Sequence, residues 1–371
     1  MNKQQILFGV LGATLLGVTG YLAFRPHASL PEKPLESVPN SAVLVAHANV
    51  AALIRSPVFR ELTQGSGDSS IARLRSLCGF NPLEAIREAT LFVSEGGNLS
   101  PEHIGVVLRG RVGAGDLGQC LRRAVETDGG TIRNTTIEGF PAVVSTGGVS
   151  RAVFVGDDGF VEGAEAPVLA ALHAANGSGR SAARDPQLAD LWEKLGADRD
   201  LSVLSRVPAS WREPLTALAA RQQIPALAHL VAMGIGLRVA EGVTAAAIIR
   251  ASAPEFARSI AEAITAYKAQ IARTALIGFT PFGAALAGVR IEAQGNDVVI
   301  AADLTAAQVS ALVSLVTEGG LSGIGGSAPQ APPGVAQQPT PAPTQLPTGP
   351  AQPAGAAPSP EVMRPSAPPQ P

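Results

Sequence analysis

The sequence is poor in the residue types on which most recognition chemistries depend. Charged residues make up 16% of its 371 positions and the net charge is −2, whereas soluble domains average about 25% charged residues. No basic field exists to hold a phosphate backbone, which excludes nucleic acid as a partner. Lysine occurs only at Lys3, Lys33, Lys194 and Lys268. With abundant alanine, glycine and proline, this points to a high-GC bacterial genome. Aromatic residues are 4%, and Trp192 and Trp211 stand alone, so no stacking platform for bases or sugars is visible. Two cysteines, Cys78 and Cys120, cannot build a disulfide framework. Two buried free thiols are expected. One disulfide is the alternative, permitted only in an oxidising compartment.

Catalytic constellations are equally scarce. None of the five histidines, His27, His47, His103, His173 and His229, has metal-ligand spacing. His47 and His229 sit in or before apolar strands, where a hydrogen-bonded structural role is expected. No G-x-S-x-G elbow occurs, since the run from Gly147 has Ala152 in the last glycine's place. Neither cysteine lies in a C-x-x-C. Asp157-Asp158 reads as a hairpin turn, because the matching place later in the chain holds Gly295-Asn296-Asp297. Glu84 and Glu88 follow the helix-start dipeptide Asn81-Pro82 and read as a solvated helix face. No catalytic, cofactor-binding or metal-binding residue is assigned, and an enzyme is not expected.

One motif needs an answer. Gly113, Gly115 and Gly118 form a G-x-G-x-x-G after the strand-like "IGVVLRG". A dinucleotide site needs that turn inside a parallel βαβ unit. The preceding strand carries Arg109 and Arg111, unlike a strand buried on both faces. The segment after the helix alternates polar and apolar residues. The corresponding join in the second half of the chain is "RASAPE", without the glycines. Gly113 and Gly115 therefore read as a loop before a helix cap at Asp116, and no nucleotide is expected.

What the sequence does have lies first at its ends. Ile6–Phe24 is an uncharged run of nineteen residues, close to the ~30 Å of bilayer hydrocarbon at 1.5 Å per residue. A retained anchor is favoured over a cleaved signal, whose small-x-small site at Val18-Thr19-Gly20 would fall inside the apolar run. Lys3 and the free amine favour an amino end in the cytoplasm. The expected location is the bacterial inner membrane, single-pass, with the bulk of the chain periplasmic. At the other end, fifteen of the 30 prolines lie from Ser327 onward. Such a segment cannot offset its ordering entropy by burial, so residues 323–371 are expected to be a disordered proline-rich arm.

Between the ends the chain repeats itself. Residues 1–25 are the anchor and 26–37 a linker. Residues 38–176 form a first α+β repeat, 177–184 a join, and 185–322 a second repeat. "AVLVAHANV" opens the first copy and "LSVLSRV" the second. Leu117, Leu121 and Val125 form one helical stripe; Phe256, Ile260, Ile264, Tyr267 and Ile271 form its counterpart. Capping signals stand at Asp116/Gln119, Asp185-Pro186, Ser252/Glu255 and Thr305/Gln308. Val168, Leu169 and Leu172 line one closing helix, and Val309, Leu312, Val313 and Val316 the other. The fold expected is α+β, two tandem copies of a βαββαββα-type unit with mainly antiparallel sheets and helices on one face. Whether the two sheets stack or continue one another is left open.

"SVPNSAVLVAHANVAALIRSPVFREL" with "CGFNPLEAI" resembles uncharacterised bacterial envelope proteins with one amino-terminal membrane segment before a duplicated α+β region. That resemblance implies placement and fold, and no activity. The reading is a non-enzymatic, membrane-anchored extracytoplasmic binding or scaffold protein. It would contact the bilayer through Ile6 to Phe24, with an envelope protein or the cell wall as candidate partner. The alternative is an enzyme or small-ligand binder with a site between the repeats, lined by polar groups such as Arg109, Arg250, Glu241 or His103. The stretch "TALIGFTPFGAALAGV" is read as core before dimer surface or membrane contact.

Overall fold

Several strand-forming segments are apolar at both odd and even positions, and this decides the architecture. A computed structural model describes residues 29–60, 69–96, 100–111, 114–127, 129–146, 150–196, 198–273 and 281–317. The apolar run Ile6–Phe24 and the arm 323–371 lie outside these residues. The strands are β1 (Ala42–Ala48), β2 (Ile86–Ser94), β3 (Ile104–Gly110), β4 (Thr131–Ile137), β5 (Phe140–Thr146), β6 (Arg151–Val155), β7 (Gly159–Gly163), β8 (Leu201–Arg206), β9 (Leu230–Val239), β10 (Gly242–Ala251), β11 (Arg290–Gln294) and β12 (Asp297–Thr305). They form one twelve-stranded sheet in the order β11-β12-β10-β9-β8-β1-β2-β3-β7-β6-β5-β4. Every pair between named strands is antiparallel. The class is α+β.

The first and second halves of the chain meet at the β1–β8 pair, where His47 stands opposite Ser202. The two sheets therefore continue one another. Outward from that seam the halves share an order, β1-β2-β3-β7-β6 on one side and β8-β9-β10-β12-β11 on the other. The first half adds the β4–β5 hairpin at its edge.

The helices are α1 (Val50–Leu53), α2 (Ser69–Cys78), α3 (Pro82–Ala85), α4 (Ala114–Thr127), α5 (Glu165–Ala175), α6 (Pro186–Leu195), α7 (Arg212–Gln222), α8 (Pro254–Ala272), α9 (Pro281–Gly288) and α10 (Ala306–Thr317). They do not keep to one face, contrary to the sequence expectation. On β6, Val153 and Val155 join a core with Val168, Ala171 and Leu172 of α5. The intervening Ala152 and Phe154 pack with Leu117 of α4. Successive residues of a strand point to opposite faces, so α5 and α4 cover opposite sides. The second half repeats this. Ile248 joins the core containing Leu188, Leu191 and Leu195 of α6, and Ile249 packs against the cluster containing Ile260 and Ile264 of α8. No helix among the described residues is long and apolar enough to cross a membrane.

Local signals met mixed outcomes. Asp185 caps α6, accepting from the amides of Gln187 and Leu188 at 2.8 and 3.1 Å, with Pro186 in the first turn. Thr305 and Gln308 form the expected reciprocal box on α10. Helix α4 begins at Ala114, so Asp116 lies in its first turn and is not the cap. On α8 the cap position is Ala253, which makes no side-chain bond. The α8 stripe buries Ile260 and packs Phe256 and Ile264, then runs off the sheet, leaving Tyr267 59% exposed. Helix α4 leads from β3 to β4 at the far sheet edge. Gly115 and Gly118 thus lie in no parallel βαβ unit.

Cys78 and Cys120 are joined, with their Cα atoms 4.3 Å apart. The expectation of two free thiols is overturned because α2 and α4 pack side by side. Arg123 reinforces the contact by donating to the carbonyl of Leu77 at 3.2 Å.

Candidate functional site

The seam between the halves carries a row of polar side chains. The register places Thr90 and Ser202 on either side of His47, on the face covered by α5 and α6. His47 Nδ1 and Thr90 Oγ1 are 3.0 Å apart. The indole of Trp192, on α6, meets the imidazole edge-on, with ring centroids 5.4 Å apart. Burial, then the charge of Arg109, lowers the His47 pKa to about 4. At neutral pH the ring is therefore uncharged. His47 is a buried, hydrogen-bonded strand histidine, as its place in "AVLVAHANV" suggests. His229 is also accommodated, stacked on Phe256 just before β9.

Above this row lies a cleft of about 1020 Å³, lined by Glu36, His47, Asn49, Glu88, Trp192 and Arg199 among others. Residues from both halves contribute. One rim is a strap within residues 26–37, the stretch expected to be a linker, with Pro34–Glu36 in a 3-10 turn and Leu35 buried. Glu88 and Arg109 are cross-strand partners on β2 and β3. Their charged groups approach to 3.5 Å, with the Arg109 side chain 14% exposed. Arg109 also donates to the Glu32 carbonyl at 2.7 Å, which ties the strap down. Glu88 Oε2 and Arg109 Nε are buried without a hydrogen-bond partner. Such atoms are uncommon in native structures and mark strain or a place for a further polar group.

Of the four residues singled out for an inter-repeat site, only Arg109 approaches this cleft. Arg250 is held by Asp297, its cross-strand partner, at 2.7 Å, and by Asp190 of α6. Lys194 bridges the same two carboxylates at 2.7 and 3.1 Å. Burial of Asp297 works against ionisation, yet hydrogen bonds from Arg250 and Lys194 hold its carboxyl below the usual range. This cluster fastens α6 to the sheet and leaves Arg250 engaged. Glu241 lines a separate hollow with Arg238 and Asp303. His103 stands beside Glu102 in the turn before β3.

Sequence reasoning missed Glu88. The helix begun at Asn81-Pro82 lasts one turn, and Glu88 belongs to β2. The signal was the strand-forming run at residues 89–93, rich in β-branched and aromatic residues, which needs the chain extended from Ile86. Glu84 is exposed, as expected of a helix face. Among the described residues no group of His, Cys, Asp and Glu could hold a metal ion.

No family model matches the chain. No curated protein matches it either. Among solved structures it is similar to one described as "Structure of crystal form I of TP0453". The identity is 12%, the alignment covers 76% of this chain and 97% of that one, and the TM-score is 0.43. A likeness of that size carries no argument.

Proposed function

We propose that this is a membrane-anchored, extracytoplasmic binding protein without catalytic activity. Ile6–Phe24 holds it in a bacterial inner membrane. Residues 38–176 and 185–322 arose by duplication and form one rigid platform. Residues 323–371 reach toward an envelope protein or the cell wall. The observation that carries the placement is the Cys78–Cys120 disulfide, because structural disulfides persist in oxidising compartments and are rare in the cytosol. The shared strand order of the two halves supports the duplication.

The experiment is a fusion at Pro371 to a reporter active only in the periplasm, paired with a reporter active only in the cytoplasm. Alkylation of the thiols in intact cells accompanies it. Activity of the periplasmic reporter, with both cysteines shielded until a reductant is added, is expected. A silent periplasmic fusion with free thiols sinks the placement.

The cleft favours a second reading, in which the platform holds a small polar ligand between its halves. Glu88, which lines the cleft, and Arg109 behind it would be its contacts, since Glu88 Oε2 and Arg109 Nε are buried without a hydrogen bond. Native mass spectrometry of the full chain should then show a small adduct that Arg109→Leu removes. The same adduct mass increment on both proteins, or none on either, would count against the site.

A further inference from the structure

The other face of the sheet has a pattern that an ordinary antiparallel sheet lacks. Antiparallel sheets usually pack one face and turn a polar face to water. Here the register aligns Val106, Leu91, Ala46, Val203, Ile235 and Ala247 in one row across β3, β2, β1, β8, β9 and β10. The flanking rows continue the pattern. One is Leu108, Ala89, Ala48, Leu201, Leu237 and Ala245; the other is Ile104, Val93, Leu44, Ser205, Met233 and Ile249. Ser205 is the one polar residue in the three rows, and its hydroxyl donates to the Val43 carbonyl. On the opposite face of the same strands the core closes over Phe92 and Leu204, each at 0% exposure, beside the cleft at His47 and Glu88. On this face Ile235 is 48% exposed, and most of the other residues are partly exposed.

The floor lies between two walls. Leu108 at one side tucks under the cluster of α4, beside which the disulfide fixes α2. Ile249 at the other tucks under α8. The outer strands β3 and β10 are five spacings of ~4.8 Å apart, about 24 Å, of which the walls over Leu108 and Ile249 take part; the ~15 Å that one acyl chain spans in half a bilayer fits on the floor between them. The central row ends at Glu162, opposite Val106, whose carboxyl pKa is raised by burial.

We infer that this trough takes the acyl chain of a membrane phospholipid. All six strands are paired on both sides, so the floor offers no free backbone to a peptide. It has no aromatic residue and no arginine, the anchors on which protein interfaces rely. Small and aliphatic side chains leave a smooth surface that suits a flexible chain. The inference draws its lipid source from the anchored reading above. Ser29, the first described residue, follows closely on Phe24, and the tether between them spans at most about 18 Å.

The test uses the full chain in vesicles of phosphatidylethanolamine and phosphatidylglycerol, doped with a phospholipid carrying a diazirine in its acyl chain. After illumination, adducts are mapped by mass spectrometry. Adducts on peptides containing Val203 and Ile235 are expected. Ile235→Lys, which replaces a half-exposed side chain, should lower them about tenfold by placing charge against hydrocarbon. Ile235→Leu should retain them. Adducts confined to Ile6–Phe24 in the wild type overturn the trough and leave the anchor standing. Floor adducts without any on Ile6–Phe24 support the trough and remove the anchor. Absence from both removes both. Cross-links joining the floors of two copies would assign the surface to self-association and overturn the lipid.

Discussion

The two halves of the sheet share a strand order and differ in how they are fastened. In the first half the covering helix α4 is stitched covalently to α2 through Cys78–Cys120. In the second, Asp297, Arg250, Asp190 and Lys194 form an ionic knot between α6 and the strands. The additions differ too. The first half gains a hairpin at its edge, turned at Glu138 and Gly139, both with positive φ. The second gains α9, which packs on α8, α10 and β12. Inserted segments are accommodated at the rims, while the six central strands keep one pattern. The common element is thus the paired strands, and each half found its own means of holding helices on them.

Breaking the covalent fastener should cost most. The linked cysteines are 42 residues apart, and loop entropy alone assigns that closure about 4 kcal/mol. Urea unfolding of Cys78→Ser/Cys120→Ser should show this loss, with hydrogen exchange accelerated first in α2 and α4. Uniform acceleration across both halves would erase the distinction.

Asp297→Ala should come next, at about 3 kcal/mol, because it leaves Arg250 and Lys194 without their buried partner. Its exchange signature should fall on α6 and β12.

The seam itself titrates. His47 binds its proton near pH 4 when folded and near 6.5 when unfolded. Between those values the unfolded chain holds more protons, so stability falls as pH falls. The loss from pH 7 to 4.5 should be about 2 kcal/mol, read from urea midpoints, and His47→Gln should flatten it. An unchanged slope in the variant would locate the titration elsewhere.

The smallest effect tests the matching ends of the halves. Thr305→Ala should cost about 1 kcal/mol through its lost cap on α10. Ala164, at the start of α5, makes no side-chain cap bond, so Ala164→Ser should be neutral or slightly stabilising.

Local chemistry was the legible part of the sequence. Asp185-Pro186 and Thr305/Gln308 announce helix starts that the fold uses. Gly295-Asn296 announces the β11–β12 hairpin, with Gly295 at positive φ. The strand order that the two halves share could be followed from "AVLVAHANV" and "LSVLSRV". Three things were hidden for one reason: they depend on partners distant in the chain. The β1–β8 pairing fixes the seam. The approach of α2 to α4 joins the cysteines. The register of β2 on β3 sets Glu88 against Arg109. One available sign went unused. Residues 42–46 and 230–237 are apolar on both alternations, which makes both faces of the central strands apolar.

The central position of β1 has a consequence for the nascent chain. The bond from Ser205 to Val43 spans 162 residues, so the seam cannot close until β8 has emerged. Until then β1 presents a bare edge of apolar strand, the kind of template that recruits stray chains. High contact order of this sort slows folding and prolongs exposure to aggregation. Synthesis of the first half without the second should therefore require a chaperone's company, and the finished sheet is the product of a late, long-range event.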